Sequence, residues 1–151
     1  MKPDSSYQLA QPEEVARRLA LLDETHMSAL RDFVRDLRVE TGHGARIPHF
    51  DPLDGGNQAR VLFLMEAPGP KAVASGFVSR DNPDPTARNL KNLLQEAGIE
   101  RAQSALWNLV PWYIGNEAGS KIRLATKTDA RESTAHLQRL WPFFPIYKPS
   151  F

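Results

Sequence analysis

Residues 61–69 read Val-Leu-Phe-Leu-Met-Glu-Ala-Pro-Gly, and the fold can be worked out from this stretch outward. Five consecutive apolar residues followed at once by turn-forming residues predict a short strand that is apolar on both faces. Such a strand is typical of the centre of a parallel sheet. Because α/β proteins bind ligands at the carboxyl ends of their parallel strands, the loop that begins at Glu66 is the first candidate for a functional site.

The sequence on either side of this strand predicts helices and a second strand. Apolar residues between positions 27 and 37 recur at helical spacing, and Pro12 is placed to begin an earlier helix. Asp84 and Pro85 are typical of a helix start, and the apolar spacing continues to Gly98. A further apolar run at 105–110 predicts a second buried strand. Residues 128–141 predict a weaker helix.

This order of elements predicts an α/β fold with three α/β/α layers around a short parallel sheet. We expect one domain, with an N-terminal helical segment at 1–44, a core at 45–141 and a tail at 142–151 that is rich in aromatic residues and proline. The composition of the tail departs abruptly from that of the core. We therefore expect the domain to be incomplete at its C-terminus.

Composition excludes several classes of protein. At 151 residues the chain has room for one domain, and 41% hydrophobic and 25% charged residues are ordinary values for a globular protein. The absence of cysteine excludes disulfides, thiolate nucleophiles and cysteine-ligated metal clusters. A net charge of +1 gives no overall attraction to nucleic acid. No apolar run approaches the roughly 20 residues of a membrane span, so we expect a cytoplasmic monomer without a membrane partner.

The loop after the first strand combines a carboxylate with little side-chain bulk. Glu66 is a candidate catalytic residue, because a carboxylate in such a loop can orient or deprotonate a water molecule. Ala67, Pro68 and Gly69 are candidate binding residues, because their backbone groups can closely approach a ligand. The alternative is an ordinary turn that ends the strand and leaves Glu66 in solvent.

Two further residues are placed where a binding site can use them. Phe77 lies in a long irregular connection, where its ring can stack on a planar ligand or fill the space beneath the loop. Asn108 interrupts an apolar strand, and a buried amide needs hydrogen-bond partners. Its side chain either anchors a neighbouring loop or reads the edge of a base.

Other polar clusters give weaker signals. The histidines and aspartates between positions 43 and 54 have irregular spacing, and we predict no metal site there. Lys121, Arg123 and Lys127 either contact phosphates or form a solvated face.

Four segments together resemble family 4 of the uracil-DNA glycosylase superfamily. Residues 65–69 are similar to its G-E-A-P-G motif, and residues 76–78 are similar to its P-F-V-G segment. Residues 84–98 resemble the helix that follows, and residues 107–110 resemble the segment that holds the uracil-binding asparagine. The resemblance covers roughly residues 47–117.

The resemblance implies hydrolysis of the N-glycosidic bond of uracil in DNA during base-excision repair. Glu66 then positions the attacking water, Phe77 stacks on the flipped base and Asn108 reads its polar edge. Backbone donors around Ala67 to Gly69 then help hold the pocket or bind a flanking phosphate. DNA containing uracil is the implied partner, and the chemistry requires no cofactor and no metal.

This sequence departs from the family at three places. Met65 replaces the first glycine of the motif, and the cysteines of the family's iron–sulfur cluster are absent. The C-terminal H-P-S-P motif is also absent, since His136 is followed by Leu-Gln-Arg. Two alternatives therefore stay open. One is a non-catalytic module that binds nucleotides or single-stranded nucleic acid, and the other is an inactive truncated product.

Overall fold

The computed structural model describes residues 6–145. Within them the chain alternates helices with short parallel strands, which confirms the predicted α/β class. No helix of this part of the chain is both long enough and apolar enough to cross a membrane. The helices are α1 (Pro12–Leu21), α2 (Ser28–Thr41), α3 (Pro70–Ser75), α4 (Pro85–Glu96) and α5 (Lys127–Leu140), and the strands are β1 (His49–Phe50), β2 (Val61–Met65), β3 (Phe77–Val78) and β4 (Ser104–Asn108).

The strands form two parallel pairs. In the longer pair, β2 lies beside β4 in a register that runs from Val61 opposite Ser104 to Met65 opposite Asn108. In the shorter pair, β1 lies beside β3. Both predicted strands are therefore present, and they are direct neighbours. The two-residue strands β1 and β3 were not predicted from the sequence.

The prediction that β2 is buried on both faces is wrong. Val61 is 40% exposed and Leu64 is 36% exposed, whereas every residue of β4 is buried. Within residues 6–145, β2 has a sheet partner on one side only. An apolar run therefore identified the strand correctly but overestimated how much of it is covered.

The core lies between α2 and the strands β1 and β4. Trp107 of β4 stacks on Phe50 of β1 with ring centroids 4.1 Å apart. Because neighbouring residues of a strand point in opposite directions, Leu106 and Asn108 face away from this aromatic stack. The apolar stripe predicted for α2 is buried as expected: Met27, Leu30, Phe33, Val34 and Leu37.

The start of α4 is confirmed at atomic detail. The Oδ1 atom of Asp84 accepts a hydrogen bond from the backbone nitrogen of Ala87 at 2.8 Å, and Pro85 is the first helical residue. The buried face of α4 is narrower than its sequence suggests. The apolar spacing up to Gly98 predicts that Leu90, Leu93, Leu94 and Ala97 share one face, and of these Leu94 is buried whereas Leu93 is 61% exposed.

The helix predicted at 128–141 is α5, which begins with a capping box between Thr126 and Asp129. The first part of the predicted tail joins the core, since Phe144 is buried and its ring lies 6.2 Å from that of Phe50. Residues 146–151 of that tail lie outside the described residues.

An ionic cluster is buried at the amino end of β4. Arg18 lies 2.8 Å from Asp51 and 2.9 Å from Asp81, and its side chain is fully buried. Arg101 contacts Asp51, Asp54 and Asp81 at 2.7–2.8 Å. Burial, with a further contribution from the Asp51 charge, raises the pKa of Asp54 to about 7. The aspartates that the sequence placed near two histidines therefore pair with arginines.

Candidate functional site

A cavity of about 360 Å³ lies at the carboxyl ends of β2 and β4. This is the position at which open α/β sheets bind ligands, and the volume is at the lower end of the range for small-molecule sites. We call it the strand-end cavity. Its lining includes four of the six predicted site residues: Ala67, Pro68, Gly69 and Asn108.

The parallel pairing of β2 and β4 brings these residues together. Met65 and Asn108 are register partners, so both side chains point to the same face of the pair. Leu106, two residues before Asn108, lies on that face as well and also lines the cavity. The loop 67–69 also lines the cavity, and its side chains are small.

The side chain of Asn108 is buried without a protein partner. Only 1% of the residue is exposed, and neither Nδ2 nor Oδ1 makes a hydrogen bond to any residue in 6–145. An unsatisfied buried polar group costs about 1–3 kcal/mol, so such groups are rare and call for an explanation. A planar ligand that presents a carbonyl beside an N–H group would satisfy both atoms.

Asn82 lines the same cavity but is fully engaged by the protein. Its Nδ2 donates to the carbonyl oxygen of Phe77 at 2.8 Å, and its Oδ1 accepts from the hydroxyl of Ser75 at 2.6 Å. Asn82 therefore stabilises the loop around the cavity. The contrast with Asn108 shows that a buried asparagine of this fold can be satisfied internally.

Glu66 lies beside the cavity and outside its lining. The residue is exposed, and its Oε1 accepts a hydrogen bond from the backbone nitrogen of Ala125 at 3.1 Å. Its carbonyl oxygen accepts from Val110 at 2.9 Å, which extends the pairing of β2 and β4 past the end of the strands. The backbone of Glu66 is therefore held by the strand pairing, and its side chain is exposed to solvent.

The structure does not bring Phe77 into the cavity. Its ring is fully buried and lies 6.2 Å from the ring of His49, whereas the next residue, Val78, lines the cavity. Neighbouring residues of a strand face opposite ways, so these two side chains point apart. Stacking of Phe77 on a ligand stays a prediction that requires the ring to leave its present position.

A larger groove of about 780 Å³ adjoins the strand-end cavity. Its aromatic side chains are already engaged: His43 stacks on Trp112 at 4.5 Å, and the guanidinium of Arg46 lies 5.6 Å from the ring centre of Tyr113. The strand-end cavity is therefore the stronger candidate site, although it is smaller.

Several lining residues were not predicted from the sequence, and Lys71 and Ile122 are two of them. Lys71 at the start of α3 and Ile122 in the segment before α5 both border the strand-end cavity, and Ile122 borders the larger groove as well. No local pattern distinguishes either residue. Their position depends on contacts between segments that are distant in the chain.

No protein-family model matches this chain, and no curated protein matches its sequence. The cavity and the residues around it are therefore the features of the molecule that indicate a function.

Proposed function

We propose that this protein binds a uracil base of DNA in the strand-end cavity and hydrolyses its N-glycosidic bond, the first step of base-excision repair. The observation that carries the proposal is the buried, unpartnered amide of Asn108 at the end of β4. One edge of uracil presents a carbonyl oxygen next to a ring N–H. Nδ2 donates to the carbonyl and Oδ1 accepts from the N–H.

The surrounding fold supports a base-sized ligand. The side chains that line the cavity are mainly apolar and include Met65, Val78 and Leu106. A flat base can bury both faces of its ring against such side chains. Because Trp107 packs toward α2 and Leu106 faces the side that α4 borders, we also propose the three-layer α/β/α arrangement of the uracil-DNA glycosylases for this chain.

Glu66 supplies the catalytic carboxylate in this proposal. Its Oε1 is held by Ala125, and its exposed position allows the carboxylate to hold a water molecule beside the sugar of an inserted nucleotide. The water oxygen bonds to the sugar carbon as the carbon–nitrogen bond breaks, and Glu66 takes the proton. The electron pair leaves with the base, where the Nδ2 donor of Asn108 stabilises the charge on the carbonyl.

An end-labelled single-stranded oligonucleotide with one uracil tests the proposal. Uracil release leaves an abasic site that alkali cleaves, so the product is counted on a gel. We expect Asn108→Ala to lower the rate by about 10²-fold or more, as loss of an oxyanion donor does elsewhere. Glu66→Gln, which keeps an oxygen for Ala125, should lower it by about 10²–10⁴-fold.

Two exposed residues of α4 provide matched controls. Asn89→Ala and Glu96→Gln change the same residue types at exposed positions outside the cavity lining and should leave the rate unchanged. Uracil release that survives both Asn108→Ala and Glu66→Gln would remove these residues from the mechanism.

A non-catalytic base-binding module is the second candidate. It is favoured by one observation, which is that Glu66 already accepts a hydrogen bond from Ala125 and does not line the cavity. Binding of the uracil oligonucleotide that Asn108→Ala abolishes, without any release of uracil, would establish the module instead of the enzyme.

A further inference from the structure

A second cleft, of about 410 Å³, lies at the amino end of β4, beside the buried ionic cluster. Its charged lining residues are three cations and one carboxylate: Arg80, Lys91, Arg101 and Glu100. Arg80 donates to Ser104, the first residue of β4, whereas Asn108 is the last residue of that strand. Ser104 and Asn108 are about 13 Å apart along the strand, so this cleft is separate from the strand-end cavity. We call it the arginine cleft.

The guanidinium of Arg80 is buried but only partly paired. The residue is 4% exposed, and its Nη2 donates to the hydroxyl of Ser104 at 2.8 Å and lies 3.3 Å from Oδ1 of Asp54. Its Nε is buried as well, yet it has no hydrogen-bond partner within residues 6–145. Burial lowers the pKa of this guanidinium, because the nearby carboxylates do not fully replace the water that the charge has lost.

Arg101 shows how the same cluster satisfies a guanidinium completely. Its three nitrogens contact three different aspartates at 2.7–2.8 Å. The incomplete pairing of Arg80 is therefore a local feature of the arginine cleft. A buried donor without a partner is costly, and the cost is larger when the donor belongs to a charged group.

An oxyanion would supply the partner that Arg80 lacks. The N–H groups of a guanidinium form a planar fork that matches the oxygens of phosphate and carboxylate. Lys91, held by Asp81 at 2.6 Å, brings a second positive charge to the cleft, and Arg101 brings a third. A doubly charged phosphate gains more from several cations than a singly charged carboxylate does, so the lining favours phosphate.

We infer that the arginine cleft binds a phosphate group, with Nε of Arg80 donating to one of its oxygens and Lys91 and Arg101 supplying further positive charge. The ligand is inorganic phosphate or a small phosphate monoester, since the cleft has room for more than the phosphate group. The inference goes beyond the proposed function and does not depend on it, because the arginine cleft and the strand-end cavity share no lining residue.

The side-chain Nε–H signal of Arg80 in the ¹H–¹⁵N spectrum tests the inference, once through-bond correlations have assigned it. Inorganic phosphate that replaces chloride at constant ionic strength should move this signal to lower field along a saturable curve. We expect a dissociation constant of about 1 mM or lower. A parallel titration with glycerol phosphate separates the two sources. Tighter binding of glycerol phosphate identifies a small monoester as the ligand, and equal or weaker binding identifies inorganic phosphate.

Two exposed lining residues allow the charge of the cleft to be changed without touching the buried cluster. Gln95→Glu adds a carboxylate and should weaken phosphate binding by about three- to tenfold, whereas Glu100→Gln removes one and should strengthen it by a similar factor. Gln138→Glu on the exposed surface of α5 is the matched control, since Gln138 does not line the cleft. It should change the affinity by less than about twofold, because distant surface charges are screened by salt.

Arg80→Lys keeps the positive charge and loses the planar fork. We expect it to weaken phosphate binding by about tenfold or more, read from the backbone signals of Gly98 and Ile99 in the cleft lining. Where this variant does not fold, Gln95→Glu and Glu100→Gln still decide the question, since both change exposed residues.

Two results would overturn the inference. One is an Nε–H signal of Arg80 that phosphate does not move. The other is phosphate binding that Gln95→Glu and Glu100→Gln leave unchanged, which would indicate an adventitious ion only. A protein that binds phosphate in this way but releases no uracil would overturn the glycosylase activity and support the arginine cleft.

Discussion

Asn108 is the register partner of Met65, so its unpartnered amide lies beside the last residue of β2 and next to the loop that begins at Glu66. Parallel pairing puts the carboxyl ends of both strands at one edge. Two short segments that are about forty residues apart in the chain therefore line the same cavity.

Replacing Asn108 with leucine should stabilise the protein. Leucine has a similar size and carries no polar atoms, so the variant no longer buries an unsatisfied amide, and we expect the free energy of unfolding to rise by about 1 kcal/mol. Urea denaturation measures the change. The same variant should lose the binding of uracil DNA.

Asn82→Leu is the matched control for that experiment. Its amide is satisfied by Phe77 and Ser75, so this variant should be less stable than the wild type by about 1–3 kcal/mol. Equal destabilisation by Asn108→Leu and Asn82→Leu would contradict the view that the Asn108 amide is kept for a ligand.

Loss of Arg101 should be strongly destabilising. Its guanidinium contacts three buried aspartates, and removing one partner of a buried charge network typically costs about 3–5 kcal/mol. We expect Arg101→Met to lower the free energy of unfolding by about 3 kcal/mol, because the side chain is still one quarter exposed. Arg60→Met at an exposed position should change it by less than about 0.5 kcal/mol. Similar values for the two variants would show that the ionic cluster contributes little.

Asp54 should make stability depend on pH. Its pKa is about 7 in the folded protein against an ordinary value of 3.8, so the folded state holds this proton more tightly than the unfolded state does. The contribution to stability is therefore fully present below the ordinary pKa of 3.8 and is lost as the pH rises to about 7.

Asp54→Asn cannot ionise and should remove this decrease. Melting temperatures should be measured from pH 4 to pH 8. The melting temperature of Asp54→Asn relative to that of the wild type should rise up to about pH 7, and the difference should stay constant above that pH. Asp23→Asn, at a highly exposed aspartate, provides the control. A constant difference between Asp54→Asn and the wild type over the whole range would contradict the raised pKa.

Local sequence signals predicted the secondary structure well. Asp84 and Pro85 fix the start of α4 because the cap and the first helical residue depend only on neighbouring backbone. The apolar spacing of α2 predicted its buried face for the same reason. Burial of β2 was overestimated, since the coverage of Val61 and Leu64 depends on which elements pack beside the strand.

The candidate site was predictable only in part. Asn108 and the loop 67–69 could be located because each follows an apolar strand, and parallel strands end at one edge. The orientation of Phe77 depends on the register of β3 against β1, and two residues are too few for a periodic signal. The cluster around Arg101 joins segments from four parts of the chain, so no local pattern indicates it.

The side-chain NH₂ signal of Asn108 provides the most direct measurement. In the ¹H–¹⁵N spectrum of the labelled protein, the pair of signals that disappears in Asn108→Leu belongs to this amide. Titration with free uracil should shift that pair progressively to lower field as Nδ2 begins to donate, while the Asn89 pair stays in place. An Asn108 signal that does not move at saturating uracil would contradict base recognition by the strand-end cavity.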